Sequence, residues 1–315
     1  MPVTFNNVTI NRVGLHGGRD KLLDKFPGAA AAYSLRVLNT DYKAPVVQVR
    51  RSGDNAEETF TANEVGDGTL AAWVTAGGGT EDGFVKTWYD QSGNGNDASQ
   101  TTLLNQPQIV ASGAVVLENG EAAIDFDGVD DLMSATVSGM RNFTALSAFS
   151  CISPDAASAA DTTSFCIFGY AASGSNSTQR GLQVGASTSA LSLETIAIYF
   201  SSNSTNGGRL GSTAYSHSAG EQFVNTSFFL NTGTKLYKNS SQITLNLSAG
   251  MSSSTNTSPV ACAVASDALH ICSVNGVSIG PSIYIQDLII YPTDQSSNRT
   301  GIESNIASHY GITLS

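Results

Sequence analysis

The sequence predicts an all-β sandwich, and three observations carry that prediction. Charged residues are only 13% of the 315-residue chain, against 41% apolar, and the mean hydropathy is close to zero at −0.03. Ser, Thr, Asn and 31 Gly fill the place of charge. Neutral polar residues among β-branched and aromatic ones suit sheets, whereas long surface helices need charged, Ala- and Leu-rich faces. Short β-type runs separated by turn clusters recur from Gly28 to the end, the pattern of a sandwich or barrel. No repeat of 20–50 residues accompanies them, so a solenoid or propeller is not supported.

Residues 1–27 read as an N-terminal arm. Val3-Thr4-Phe5 and Val8-Thr9-Ile10 are too short to fold alone, Gly14 to Gly18 breaks them, and Lys21 to Pro27 is a short charged stretch. An edge strand with a loop of the main domain is the competing reading. Residues 28–315 form one domain. Its β-type runs include Ala32 to Leu38, Val46 to Arg51, Phe84 to Tyr89, Ala122 to Phe126 and Phe143 to Phe149. Ser164 to Tyr170, Thr195 to Phe200, Phe223 to Leu230, Val260 to Val264, Leu269 to Val274 and Tyr284 to Tyr291 follow. Phe143, Ala145, Ser147 and Phe149 alternate onto one face. Asn63 to Val74 holds one or two helical turns. Ile302, Ile306 and Tyr310 fall on one helical face, with Ser297 or Asn298 as cap and Gly311 as stop.

Composition also excludes functions. A net charge of −11 repels phosphate backbones and argues against general nucleic-acid binding. No apolar run reaches the roughly 18–20 residues of a membrane span, and no secretory signal is visible. Cys151, Cys166, Cys262 and Cys272 each lie in an apolar run with no metal-type spacing; they read as buried free thiols. The Asn-x-Ser/Thr triplets at Asn142, Asn176, Asn203, Asn225, Asn239 and Asn246 are expected by chance in so Asn- and Ser-rich a chain.

Two stretches are distinctive: Val85 to Ala98 (VKTWYDQSGNGNDA, then Gln106-Pro107) and Ala123 to Asp131 (AIDFDGVDD). With Ala32-Tyr33-Ser34-Leu35-Arg36 and Val49 to Ser52, they resemble concanavalin A-like, laminin-G-like jelly-roll domains. The first stretch is also similar to the arabinofuranosidase B type of catalytic domain. The resemblance covers residues 28–315 and implies a jelly-roll β-sandwich with a short C-terminal helix. It is specific for fold and weak for function, because the fold hosts lectins, hydrolases and viral fibre domains. Domains with this motif set are common in phage and virus particles, so the resemblance implies a virion component: a tail or head fibre, knob or capsid decoration protein.

Four chemistries are weighed. Asp90, Ser92 and Asn94 alternate before Gly95 as in the opening of a calcium loop, without the bidentate Glu at the twelfth position, which is Thr101. Asp127, Asp130 and Asp131 would complete a calcium set if the two loops meet; the competing reading is a turn bonded to itself. Glycosidase chemistry needs two carboxylates. In the resembling enzymes these lie on later strands, where the comparable stretches Arg180 to Gly185 and His270 to Gly276 carry the amides Gln183 and Asn275. Glu194 and Asp287 remain as acids. Gly276-Val277-Ser278-Ile279-Gly280 lacks the helix a nucleophile elbow requires, because Pro281 and a β-type run follow. His16, His217, His270 and His309 are scattered. Trp88, Tyr170, Tyr199 and Tyr215 are candidates for a sugar platform, although aromatics near strand ends are more often packing.

The reading is therefore a non-enzymatic virion protein with no catalytic residues, assembled in the host cytoplasm. It contacts other virion proteins through residues 1–27, forms a homo-oligomer such as a trimer, and binds host-surface glycans; calcium at Asp90, Ser92, Asn94 and Asp127 is its only candidate cofactor. The alternatives are a glycoside hydrolase of the arabinofuranosidase type and a free carbohydrate-binding lectin.

Overall fold

The computed structural model describes residues 21–79, 81–140, 143, 145–155, 164–170, 180–185, 195–200, 208–211, 217–230, 233–244, 246–247, 268–274, 277–278 and 282–315. It is an all-β sandwich with four short helices among the described residues. All strand pairs are antiparallel. One sheet runs from Glu57–Phe60 through Val47–Arg51, Gly83–Trp88, Ala98–Ser99, Met133–Thr136 and Ala268–Ile271 to Ser164–Tyr170. It continues through Arg180–Gly185, Thr195–Phe200 and Gly208–Gly211. Gln108–Ala111 pairs with both Gly83–Trp88 and Ile124–Phe126, so the ladder is continuous and folds over into a second sheet layer, built on Ile283–Tyr291. Its first half pairs with Ile124–Phe126 and its second half with Ala31–Ser34. Leu146–Pro154, Phe223–Leu230 and Gly233–Lys238 extend it.

The core between the sheets follows from alternation. Met133, Ala135, Leu269, Ile271, Val47 and Val49 from the first sheet meet Ile124, Phe126, Ile285, Leu288, Ile290 and Phe223 from the second. Trp88 is fully buried there, its ring 5.7 Å from that of Tyr33. Burial of this kind stabilises by about 1.5–3 kcal/mol per large side chain. Leu146–Pro154 and Phe223–Leu230 are buried along their whole length because a second layer covers their outer face. That layer is α1 (Leu22–Lys25) and α4 (Arg299–Tyr310), which place Leu22, Leu23, Ile302, Ile306 and Tyr310 against Phe149, Val224, Phe228 and Tyr291.

Several expectations meet the structure here. Lys21 to Pro27, assigned to the arm, belongs with the domain: Leu22 is fully buried, Leu23 is 6% exposed, and the Phe26 carbonyl accepts from the Tyr291 hydroxyl. The adjacent pair Leu22-Leu23 can bury because one short turn lies flat on the sheet. Residues 1–20 lie outside the described residues. The helical stretch after Asn63 resolves into α2 (Ala62–Gly66) and α3 (Thr69–Thr75), broken at Gly68 with φ +92°. Thr61 and Glu64 form a reciprocal capping box on α2. α4 starts after Asn298 and stops at Gly311, φ +68°, as expected, but the Asn298 side chain does not cap it; its Nδ2 donates to Gln295 Oε1 instead. Cys151 is a buried free thiol and Cys272 is buried; Cys262 and the Cys166 side chain lie outside the described residues.

Candidate functional site

The signature segment is a structural staple. Asp90 is 5% exposed. Its Oδ1 accepts from the backbone N–H of Ala32 and Ser92, and its Oδ2 from Ser92 Oγ and the Asn96 N–H, all at 2.7–3.0 Å. Asn94 Nδ2 donates to the carbonyls of Ala29 and Ala30, and Asn96 Nδ2 to that of Ala30. Gln91 receives the Leu38 N–H and donates to the carbonyls of Ser34 and Arg36. The loop thus supplies hydrogen bonds to residues 29–38, that is, to the edge strand Ala31–Ser34 and the irregular stretches on either side of it. Buried backbone groups there would otherwise be orphaned at about 1–3 kcal/mol each.

This geometry bears on the calcium set. Asp90, Ser92 and Asn94 spend their oxygens and amide on protein partners. Asp127 groups instead with Asp130 and Asp131, whose ligand atoms lie within 4.8 Å of one another. Asp127 Oδ1 accepts the backbone N–H groups of Val129, Asp130 and Asp131, and Asp131 Oδ2 accepts that of Asp127. Burial, followed by the carboxylates of Asp127, Asp130 and Asp125, pushes the Asp131 carboxyl up to about 7.

The register of the first sheet lines up a polar row on the face away from the core. It passes from Thr59 through Gln48, Thr87, Ser99, Ser134 and His270 to Gly169, and its register continues to positions 181, 199 and 209. Directly paired residues share a face. Their sequence neighbours Val47, Val49, Met133, Ala135, Leu269 and Ile271 point into the core. At one end Thr87 Oγ1 donates to Gln48 Oε1 at 3.1 Å, Gln48 Nε2 to Glu57 Oε2 at 3.3 Å, and Lys86 Nζ to the same oxygen at 2.6 Å. Towards the middle stands His270, whose Nδ1 is buried without a hydrogen-bond partner among the described residues. Burial lowers its pKa, so near neutral pH the ring is an uncharged donor and acceptor. Glycine at 169 and 181, side by side in the register, leaves the strip next to His270 free of side chains. Such a row offers hydroxyls, amides and an imidazole to a polyhydroxylated ligand. No sequence signal marks it, because it exists only in the pairing.

The other candidates separate. Asp287 is fully buried: Oδ2 accepts Arg36 Nη2 at 2.8 Å and Nε at 3.2 Å, and Oδ1 accepts the Tyr310 hydroxyl at 2.9 Å. It is a structural ion pair of the outer layer. Trp88 is core and offers no platform. Glu194, Asn275, Tyr215 and His16, with the side chains of Gln183, Tyr170 and Tyr199, lie outside the described residues. Position 183 is on the strand that carries the row, two residues from position 181. Ser278 lies on a short strand: Ser273–Val274 pairs with Val277–Ser278, and the strand Ile283–Tyr291 follows. Asn225 is buried in the Phe223–Leu230 strand, so its triplet is inaccessible to glycosylation.

The sandwich is similar in fold to solved arabinofuranosidases. It matches an arabinofuranosidase complexed with arabinofuranosyl-α-1,2-xylobiose over 91% of this chain and 64% of that one, with 16% identity and a TM-score of 0.60. Two structures of a family-54 glycoside hydrolase, an α-L-arabinofuranosidase, match over 89% of this chain and 62% of theirs. One is a mutant soaked with 4-nitrophenyl α-L-arabinofuranoside (TM-score 0.57) and the other holds a cyclic sulfate inhibitor (TM-score 0.55), each 15% identical. The chain therefore spans somewhat less than two thirds of the length of the proteins it matches. No protein-family model matches the chain, and no curated protein does. These neighbours overturn the expectation of a non-enzymatic virion component without catalytic function. The fold shared along nine tenths of the chain is one that carries glycoside hydrolysis, and the amides at 183 and 275 do not suffice to set that aside.

Proposed function

We propose that the protein acts on glycans as a glycoside hydrolase of the arabinofuranosidase type, with its substrate on the outer face of the first sheet. The observation that supports this reading most is the sandwich common to this chain and an arabinofuranosidase, at a TM-score of 0.60. The polar row agrees with it: Thr87, Ser134 and an uncharged His270 suit the hydroxyls of a neutral sugar. Hydrolysis needs a proton-holding carboxyl and a second carboxylate across the glycosidic bond. Of the two acids that the sequence offers in its later half, Asp287 is committed to Arg36 and Tyr310. Glu194 is then the residue to substitute first.

The test is release of 4-nitrophenol from 4-nitrophenyl α-L-arabinofuranoside by the full chain. Turnover is expected, with Glu194→Gln reducing kcat at least 100-fold and His270→Ala acting mainly through KM. Absence of turnover on aryl furanosides, arabinan and arabinoxylan alike would contradict the proposal.

A further inference from the structure

A cavity lies between the α2–α3 pair and the C-terminal end of α4. Its volume is about 620 Å³, within the range of small-ligand sites. Five segments wall it: Lys21 before α1, residues 35–37 after the Ala31–Ser34 strand, the α2–α3 pair, the hairpins spanning 114–122, and the end of α4. It is separate from the polar row, since none of its lining residues belongs to that row.

One wall carries a fixed donor. The Arg36 guanidinium is held by Asp287 through Nε and Nη2 and by Asn305 through Nη1, and it lies 5.6 Å above the Tyr310 ring. A guanidinium has five N–H donors. These bonds use three, and the Tyr310 side chain engages the guanidinium as well, which leaves one N–H over. Arg36 therefore meets the cavity already oriented, at no further ordering cost to a ligand. Asp287 behind it neutralises its charge. Glu121 and Lys21 both line the cavity, and His309 Nε2 lies 3.9 Å from Glu121 Oε2. Burial, then the nearby Arg36, lowers the His309 pKa, so the imidazole is neutral near pH 7. Lys21 and Arg36 thus balance Glu121 and Asp287. Leu35, Val65, Val115 and Leu117 supply apolar surface beside these groups.

The geometry points to a second ligand site, one for a neutral saccharide of one or two rings: the remaining Arg36 donor and the Glu121 acceptor for hydroxyls, aliphatic walls for the C–H face of a ring, and no net charge to select an anion. It would anchor glycan at a distance from the polar row, whether or not the row is catalytic.

Backbone amide NMR of the full chain, titrated with xylobiose, L-arabinose and galacturonate, tests it. Neutral sugars are expected to shift the amides of Val37, Gly66, Gly120 and Glu121. A Cβ at Gly66 would meet nothing within 4 Å, so Gly66→Trp can fill the opening without disturbing the fold. It should weaken this binding at least tenfold, as should Glu121→Ala, with unchanged melting temperature, while His270→Ala leaves it intact. The inference is overturned if no sugar shifts these amides, if Gly66→Trp has no effect, or if galacturonate binds more tightly than the neutral sugars. Shifts confined to Ser134 and His270 would remove this site and leave the proposed function standing.

Discussion

Substituting Asp287 by Asn isolates the ion pair that ties the second sheet to its helical cover. In the native protein the carboxylate has no solvent exposure and the Arg36 side chain has 13%. Two bonds from Arg36 and one from Tyr310 reach it. Burial disfavours the Arg36 cation, yet Asp287 and Tyr310 hold its pKa above the ordinary value. An amide retains one acceptor oxygen, so Arg36 or Tyr310 loses its partner, and the guanidinium is left buried without a counter-charge. Breaking such a pair from one side costs about 3–5 kcal/mol. With a urea m-value of about 3 kcal/mol/M for a chain of this size, the unfolding midpoint should fall by roughly 1–1.7 M. Arg36→Met combined with Asp287→Leu should recover most of the loss, because it removes both charges. A midpoint change below about 0.3 M in Asp287→Asn would refute the reasoning and return Asp287 to the list of acids free to act on substrate.

Three further outcomes are expected. Asp90→Asn replaces an acceptor of four bonds by a group that presents N–H to N–H; it should cost about 2–4 kcal/mol in urea unfolding, with the same loss whether calcium or a chelator is present. Asp131 has a folded pKa of about 7 against an ordinary 3.8. The folded state binds the extra proton in that window, so stability should fall as pH rises from about 4 to 7, by at most about 4 kcal/mol; Asp131→Asn should flatten this part of the pH–stability curve. At Gly83 a Cβ would sit 3.0–3.1 Å from Val110, Val49 and Val74. Gly83→Ala is expected to lower stability by about 1–3 kcal/mol through overpacking, read as a drop in melting temperature.

What the sequence reveals depends on how local the cause is. α4 is legible because Ile302, Ile306 and Tyr310 repeat on one face and Gly311 ends the helix. The stretch from Trp88 to Asn96 is legible as a loop former, but its partners are residues 29–38, some 50–65 positions away, and only folding brings them there. The same alternation of Asp90, Ser92 and Asn94 that suggests calcium serves turns and main-chain bonds, because both uses need oxygen every second residue. Leu22-Leu23 is too short to show a period, so its burial escapes pattern reading. Asp287 reads as a free acid inside a β run, since nothing nearby in sequence announces Arg36. The polar row is a property of register: a shift of one residue would turn every member of it into the core.

The most direct test of the central claim is to locate a furanoside on the molecule. A crystal of the Glu194→Gln variant soaked with 4-nitrophenyl α-L-arabinofuranoside should show the sugar on the outer face of the first sheet, within hydrogen-bond distance of His270. Sugar bound only elsewhere, or none at millimolar concentration, would contradict the account.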